Sequence, residues 1–241
     1  MLFLPLKDLN PTRRTPVVTR TLIVMNILVF LYQLWQGHGG ANLVASLGAT
    51  PLEITRMTDL TGPVAGVMHV PGPDPIFLTL LSSMFLHGGF LHLAFNMLYL
   101  WIFGNNIEDV LGPLRFILFY LAAGLMAHAM HIASDPNSII PTIGASGAIS
   151  GVMGAYLVLF PQARIMTLAW IFIFIQFIYV PAFVIIIYWF VLQLISGMIS
   201  LGGQLGGGVA WFAHIGGFLA GVFMILLMEG GRVYWLRRGG R

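Results

Sequence analysis

Cysteine is absent from this chain of 241 residues, and charged residues make up only 8% of it. The absence of cysteine excludes disulfides, thiolate catalysis and cysteine-ligated metal sites. The shortage of charge excludes an ordinary soluble domain, because such domains carry about a quarter charged residues. Hydrophobic residues account for 58% of the chain. We therefore expect an integral, multi-pass membrane protein with the lipid bilayer around it, and we expect no nucleic-acid partner, metal or cofactor.

Apolar segments recur along the chain and approach the roughly 20 residues that a membrane-spanning helix needs. They predict an all-α membrane protein with six transmembrane helices in one bundle. Residues 76–84 precede the second helix and are separated from it by Gly88 and Gly89, so we expect an interfacial or re-entrant approach there. Pro181 is expected in the first turn of the fifth helix. The predicted helices cover about 19–35, 90–103, 114–132, 143–160, 180–201 and 209–228.

Positively charged residues next to membrane helices favour the cytoplasmic side of the bilayer. Basic residues precede the first predicted helix and follow the second, fourth and sixth, whereas Arg56 falls on the opposite side. The pattern predicts that both termini are cytoplasmic, which suits a bacterial inner membrane. We expect a cytoplasmic segment at 1–18, a membrane domain at 19–229 with a long external loop at about 37–75, and a basic cytoplasmic tail at 230–241.

Four polar residues fall near the starts of the second, fourth and sixth predicted helices: His92, Asn96, Ser146 and His214. These three helices run in the same direction across the membrane, so the four residues are expected at a similar depth near the outer face. His92 and Asn96 are spaced i, i+4 and therefore share one face of their helix. Polar and ionisable residues inside a membrane are costly, and their presence indicates a functional site.

Small residues offer a way to bring the serine and the histidine together. Glycines at four-residue spacing allow two membrane helices to approach closely. A nearby neutral imidazole would activate the Ser146 hydroxyl as a nucleophile, with His214 as the base. The Asn96 amide, the His92 ring N–H and the Ser146 backbone N–H are the candidate donors for an oxyanion. The glycines lie beside Ser146 and His214, at Gly147, Gly151, Gly154, Gly217 and Gly221.

Three blocks of sequence carry these residues: MFLHGGFLHLAFN at 84–96, GASG at 144–147, and AHIGG at 213–217, followed by Gly221. In their order and in their placement on the predicted helices, they resemble the signature motifs of rhomboid intramembrane serine proteases. The resemblance extends over about 77–228. One such block is a weak signal, but three in register are a strong one.

The resemblance implies a rhomboid-like bundle and a serine endopeptidase that cleaves transmembrane segments of membrane proteins. It implies that Ser146 is the nucleophile and His214 the general base of a catalytic dyad that has no aspartate. His92 and Asn96 then contribute to the oxyanion hole together with the Ser146 backbone N–H. Glu108 matches the glutamate of a further family pattern, Glu-x-x-x-Gly, for which we expect a structural role.

Two positions depart from the family pattern. The Trp-Arg pair of the first external loop is absent, since Arg56 follows Thr55. The residue four positions after the nucleophile, often an aromatic that packs on the base, is Ser150. We therefore expect His214 to be held in another way, by Trp211 or Phe218 or by a hydrogen bond from Ser150.

Three alternatives compete with serine proteolysis. A proteolytically inactive rhomboid-like protein that binds client helices would use the same polar cluster structurally. A transporter is disfavoured because the sequence shows neither an inverted repeat nor a buried carboxylate relay. A zinc protease would need a motif such as His-Glu-x-x-His, and the pair His87 and His92 has neither that spacing nor the glutamate. Intramembrane serine proteolysis near the outer end of a substrate helix is the prediction.

Overall fold

The computed structural model describes residues 2–37, 40–171, 173–201 and 210–237, and helices dominate these residues. Within them, four helices are long and apolar enough to cross a bilayer: α1, α7, α9 and α10. This agrees with the predicted helical membrane fold. The helices are α1 Val17–Trp35, α2 Ala41–Leu47, α3 Pro51–Arg56, α4 Thr79–Ser82, α5 Phe90–Tyr99, α6 Asn105–Leu111, α7 Pro113–Ser134, α8 Ser146–Leu159, α9 Ala182–Leu201 and α10 Trp211–Arg237.

The second predicted crossing consists of two helical pieces. Short turns and α4 form Ile76–Phe85, and the second piece, Phe90–Leu111, is inclined to it by 81°. The break contains Gly88 and Gly89, which agrees with the predicted separate approach to the helix. Within the second piece, a π-helical turn at Leu100–Gly104 joins α5 to α6. The break places the end of the first piece beside the start of α5.

Helix α8 is the shortest of the predicted crossings, with 14 residues. It packs between α7 and α10, and almost all of its side chains are buried. A Cβ added at Gly217 or Gly221 would collide with the backbone of Gly147 or Gly151 on α8. The predicted close approach of the two glycine stripes is therefore confirmed.

Two antiparallel sheets lie outside the helices, and the sequence analysis predicted neither of them. One sheet has the strand order β1-β4-β5, formed by Leu2–Asp8, Arg164–Ile171 and Phe174–Pro181. The other is the hairpin of β2 and β3, Gly62–Val64 with Val67–His69. Pro181 is the last residue of β5, opposite Arg164, so the expectation that it lies in the first turn of the fifth helix was wrong by one residue.

The long loop after α1 is folded. It contains α2, α3 and the β2–β3 hairpin. Glu53 of α3 is buried beside His69, with 3.6 Å between its Oε1 and the ring Nδ1, and it accepts a hydrogen bond from the Leu60 backbone N–H at 3.1 Å. Burial raises the pKa of the Glu53 carboxyl. The loop is attached to the segment after α7 by paired hydrogen bonds between Ala49 and Thr142, at 3.0 and 2.9 Å.

Glu108 has the structural role that we predicted from the Glu-x-x-x-Gly pattern. Its carboxylate accepts hydrogen bonds from the backbone N–H groups of Val18 and Thr19, at 2.9 and 2.7 Å, and from the Thr19 hydroxyl at 2.8 Å. These N–H groups belong to the first turn of α1 and have no partner within that helix. Gly112, with φ of 75°, forms the tight junction between α6 and Pro113 of α7.

Candidate active site

Ser146 and His214, predicted as a pair from sequence, are in hydrogen-bonding contact. The distance from His214 Nε2 to Ser146 Oγ is 2.8 Å, although 68 positions separate the two residues along the chain. Ser146 is the first residue of α8, and His214 lies in the first turn of α10. The close packing of α8 on α10 therefore aligns the starts of the two helices and places both side chains at one level.

Gly144 shapes the entry to α8. Its φ of 117° is a conformation that side-chain-bearing residues rarely adopt. A Cβ at this position would also lie 2.8 Å from the His92 ring. The Gly144 N–H donates to the Ser83 carbonyl at 2.9 Å, which ties the start of α8 to the helical approach before α5. Glycine at 144 thus allows the His92 ring to lie beside the chain that leads to Ser146.

His92 presents a hydrogen-bond donor to this region. The Gly88 backbone N–H donates to His92 Nδ1 at 3.3 Å, so Nδ1 is the acceptor and the ring proton of the neutral imidazole resides on Nε2. It is the Nε2 edge of the ring that faces Gly144. His92 Nε2–H therefore points toward the segment that carries Ser146.

Asn96 lies one turn after His92 on the same face of α5, as the i, i+4 spacing predicted. Its side chain is buried, with 7% exposure, and its amide nitrogen has no hydrogen-bond partner within the described part of the chain. An unpaired buried donor is costly unless an acceptor arrives. Asn96 thus offers a free amide donor next to the serine–histidine pair.

These four residues border one cavity of about 800 Å³. The volume is within the range of small-molecule and peptide side-chain pockets. Most of the remaining lining is apolar, including Met84, Phe95 and Met153. The cavity therefore combines a few convergent polar groups with apolar walls. All the side chains predicted for the site from sequence, namely His92, Asn96, Ser146 and His214, line it.

The three options left open for holding His214 are resolved as follows. Ser150 Oγ donates to the Ser146 carbonyl at 2.6 Å within α8 and makes no bond to the imidazole. Phe218 stacks on Phe190, with ring centroids 4.2 Å apart, instead of packing on His214. Trp211 does contact His214, edge to face, with centroids 6.3 Å apart.

Two side chains of α9 that the sequence analysis did not single out also contact His214. Gln193 Oε1 lies 2.7 Å from His214 Nδ1, and the Trp189 ring centroid lies 5.8 Å from the imidazole. The sequence did contain a signal for Gln193, because an amide within the strongly apolar helix α9 needs a polar partner. What the sequence did not contain was the identity of that partner.

A second serine–histidine contact lies at the side of the same cavity. Ser83 Oγ is 3.1 Å from His128 Nε2. Ser83 is completely buried, so a substrate carbonyl has no access to its hydroxyl. Among the described residues, no cluster of three or more potential metal ligands is present.

Comparison with known proteins identifies the same family as the sequence motifs. A family model described as a rhomboid domain matches residues 76–230. The chain is 50% identical to "Rhomboid protease GluP" of Bacillus subtilis (strain 168) over 78 residues, which are 32% of this chain and 15% of that protein. It is 28% identical to "RHOMBOID-like protein 6, mitochondrial" of Arabidopsis thaliana over 92% of this chain and 73% of that protein.

A third relative is human "Presenilin-associated rhomboid-like protein, mitochondrial", with 30% identity over 60% of this chain and 33% of that protein. Most of the relatives are matched over a minor part of their length, such as 15% of GluP and 39% of the "Putative rhomboid protease YdcA" of Bacillus subtilis (strain 168). These relatives include proteins of a bacterium and proteins named as mitochondrial.

Proposed function

Because this chain belongs to the rhomboid family, we propose that it is an intramembrane serine endopeptidase that cleaves transmembrane segments of membrane proteins. One observation carries the proposal. The Ser146 hydroxyl lies 2.8 Å from His214 Nε2 at the wall of a cavity, within the range for proton transfer from nucleophile to base.

The chemistry follows from this contact. Ser146 Oγ attacks the scissile carbonyl carbon while His214 Nε2 accepts the hydroxyl proton, and the carbonyl oxygen becomes an oxyanion. The protonated imidazole then donates that proton to the departing amide nitrogen as the C–N bond breaks. Water attacks the remaining acyl ester, again with His214 as the base, and releases the carboxylic acid and the free serine.

Three groups are proposed to stabilise the oxyanion: His92 Nε2–H, the Asn96 amide and the Ser146 backbone N–H. The orientation of the His92 ring and the unpaired Asn96 nitrogen support this role. Donors fixed in advance at the site of developing charge are among the largest contributions to catalysis. The Ser146 N–H belongs to the first turn of α8, where backbone donors lack partners within the helix.

The decisive experiment compares Ser146→Ala with Ser150→Ala. We would measure cleavage of a model single-span substrate in liposomes, and labelling by a serine-directed fluorophosphonate. Ser146→Ala should abolish both signals, because it removes the nucleophile. Ser150→Ala should retain both, since the Ser150 hydroxyl bonds only within α8. Loss of activity in Ser150→Ala with full turnover in Ser146→Ala would contradict the assignment.

The same experiment separates the protease from the client-binding alternative. A rhomboid-like protein without proteolytic activity would bind the substrate helix equally well with Ser146 or alanine and would release no product. We further propose that the chain is an integral multi-pass protein of a bacterial inner membrane with both termini cytoplasmic. The distribution of basic residues supports this orientation.

A further inference from the structure

Gln193 is the one side-chain amide of α9, and it is buried, with 6% exposure. Its Oε1 lies 2.7 Å from His214 Nδ1. Its amide nitrogen faces the Trp189 carbonyl one turn earlier on α9, at 3.4 Å. This second contact uses the donor end of the amide and leaves the acceptor end directed at the imidazole.

The Gln193 contact determines where the ring proton of His214 resides. An amide oxygen only accepts hydrogen bonds, so the partner nitrogen Nδ1 must carry the proton. In a neutral imidazole the other nitrogen, Nε2, is then unprotonated and free to accept. Nε2 is the atom that faces Ser146 Oγ at 2.8 Å. The arrangement therefore presets the tautomer in which His214 accepts the serine proton.

We propose that Gln193 is a positioning residue that holds His214 in its Nδ1–H tautomer and fixes the direction of Nε2 toward Ser146. The proposal rests on the proposed function and adds a third member to the dyad. The rings of Trp189 and Trp211 pack against His214 and restrict its tilt. Among the described residues that contact His214, only Gln193 discriminates between the two tautomers.

An amide suits this position because of its surroundings. In aqueous serine proteases an aspartate orients the histidine, and its charge also stabilises the imidazolium. A carboxylate within a membrane-bounded helix bundle is far more expensive than a neutral amide. Gln193 supplies the acceptor geometry without the charge. We therefore expect it to contribute orientation, and less rate enhancement than an aspartate does in soluble enzymes.

Kinetic tests use three variants of α9. Gln193→Leu removes the acceptor and should lower kcat about 10 to 100-fold with KM within about twofold. Gln193→Glu keeps an acceptor and should restore most of kcat. Leu192→Ala, on the exposed side of the same helix, is the control and should resemble wild type.

A readout independent of turnover is the ¹⁵N NMR spectrum of the histidine rings, with the His214 signals identified by their loss in His214→Asn. Wild type should show His214 with a protonated Nδ1, and Gln193→Leu should show a mixture of tautomers. An unchanged tautomer, or Gln193→Leu with wild-type kcat, would overturn the role of Gln193 and leave the protease assignment standing. A wild-type protein that neither cleaves substrate nor reacts with fluorophosphonate would instead refute the proposed function, while the spectrum still tests Gln193.

Discussion

At the scale of single residues, substitution of the proposed donors on α5 should have a smaller effect than substitution of the proposed nucleophile. Removal of one oxyanion donor usually costs about 10²–10³ in kcat, and the remaining donors still act. We therefore expect His92→Ala and Asn96→Ala each to lower kcat by about 10 to 1,000-fold without loss of membrane insertion. Single-turnover cleavage in liposomes would measure this effect.

The control for these variants is Ala94→Leu, which alters the exposed face of α5 between the two donors. It should leave kcat close to the wild-type value. If both donor variants also turned over at the wild-type rate, His92 and Asn96 would be packing residues and the oxyanion would have other donors.

Glu108 belongs to the residue scale too, but its effect is on stability. In Glu108→Gln, the amide NH₂ replaces one of the two oxygens that accept from the start of α1. Leaving such a buried donor unpaired costs about 1–3 kcal/mol. We expect a lower midpoint of thermal unfolding in detergent, with little change in kcat well below that midpoint.

Asp109→Asn provides the matched comparison. Asp109 also accepts backbone hydrogen bonds, from Arg13 and Arg14 at 3.1 and 2.9 Å, but this site is exposed to solvent. Asp109→Asn should therefore lower the midpoint of thermal unfolding less than Glu108→Gln does. Equal effects would mean that burial of the Glu108 site does not determine its contribution.

At the scale of elements, α8 and α10 cross with their backbones in close contact at glycines. A methyl group at Gly221 would overlap the Gly151 backbone, so Gly221→Ala must force the helices apart. Because Ser146 and His214 lie in the first turns of these two helices, the variant should lose both thermal stability and kcat. Overpacking of this kind typically costs about 1–3 kcal/mol.

Gly197→Ala on α9 is the control for that experiment. A Cβ there would meet its neighbours at 3.5 Å or more, an ordinary contact distance. Alanine is a better helix former than glycine by about 1 kcal/mol. The unfolding midpoint should therefore stay the same or rise. A comparable loss of stability in both variants would argue against close packing as the reason for glycine at 221.

The helices and strands also show how much of the fold could be predicted from the sequence. The helices α1, α7 and α9 were predicted to within two residues at each end, because long apolar runs bounded by polar or glycine residues are typical of membrane helices. The β1-β4-β5 sheet was not predicted. Its strands are largely apolar, so β4 and β5 resemble a stretch of membrane helix in composition. The pairing of β1 with β4 joins segments more than 150 positions apart, which no local pattern encodes.

More of the candidate site than of the sheet could be predicted from the sequence. His92, Asn96, Ser146 and His214 were identified because each is polar within an apolar helix and because the motifs fixed their order. Gln193 satisfies the first criterion only. Its contact with His214 depends on the rotation of α9 about its own axis, and the sequence of α9 does not determine that rotation.

At the scale of the whole molecule, the proposed function requires the cavity to receive an unwound segment of a substrate helix. A helix in lipid satisfies its own backbone hydrogen bonds, so its peptide bonds are not available to Ser146 until it unwinds locally. Glycine and proline weaken a helix by about 1 and 3 kcal/mol relative to alanine. A substrate with Gly-Pro just inward of the cut site should therefore have a higher kcat/KM than its Ala-Ala counterpart.

The orientation of the whole chain leads to a separate prediction. A topology reporter fused after Arg241 should report the cytoplasm, and one inserted near Gly62 should report the opposite side. The reason is that most basic residues next to the predicted membrane helices lie on the same side as Arg241. Reversed signals would place the Ser146–His214 pair near the cytoplasmic face.

Backbone hydrogen bonds between loops indicate which loops share a side of the membrane. They therefore indicate whether the number of crossings between two loops is even or odd. Strand β1 pairs with β4, so their two segments share one side of the bilayer. Ala49 pairs with Thr142, so these two residues also share a side, which lies across α1 from β1. If α7 is one crossing, the number of crossings between Ala49 and Thr142 must be even, so we expect the bent pair Ile76–Phe85 and Phe90–Leu111 to form the other.

The same argument applies to the chain on either side of α8. Thr142 and strand β4 lie on opposite sides, and α8 is the only helix between them. We therefore expect α8 to cross the bilayer, although 14 residues at 1.5 Å each cover only about 21 Å of a hydrocarbon core of about 30 Å. The non-helical chain at its ends must complete the passage within the protein, out of contact with lipid. We therefore expect the short span of α8 to place its first residue, Ser146, below the membrane surface, at the depth where a substrate helix would have to be cut.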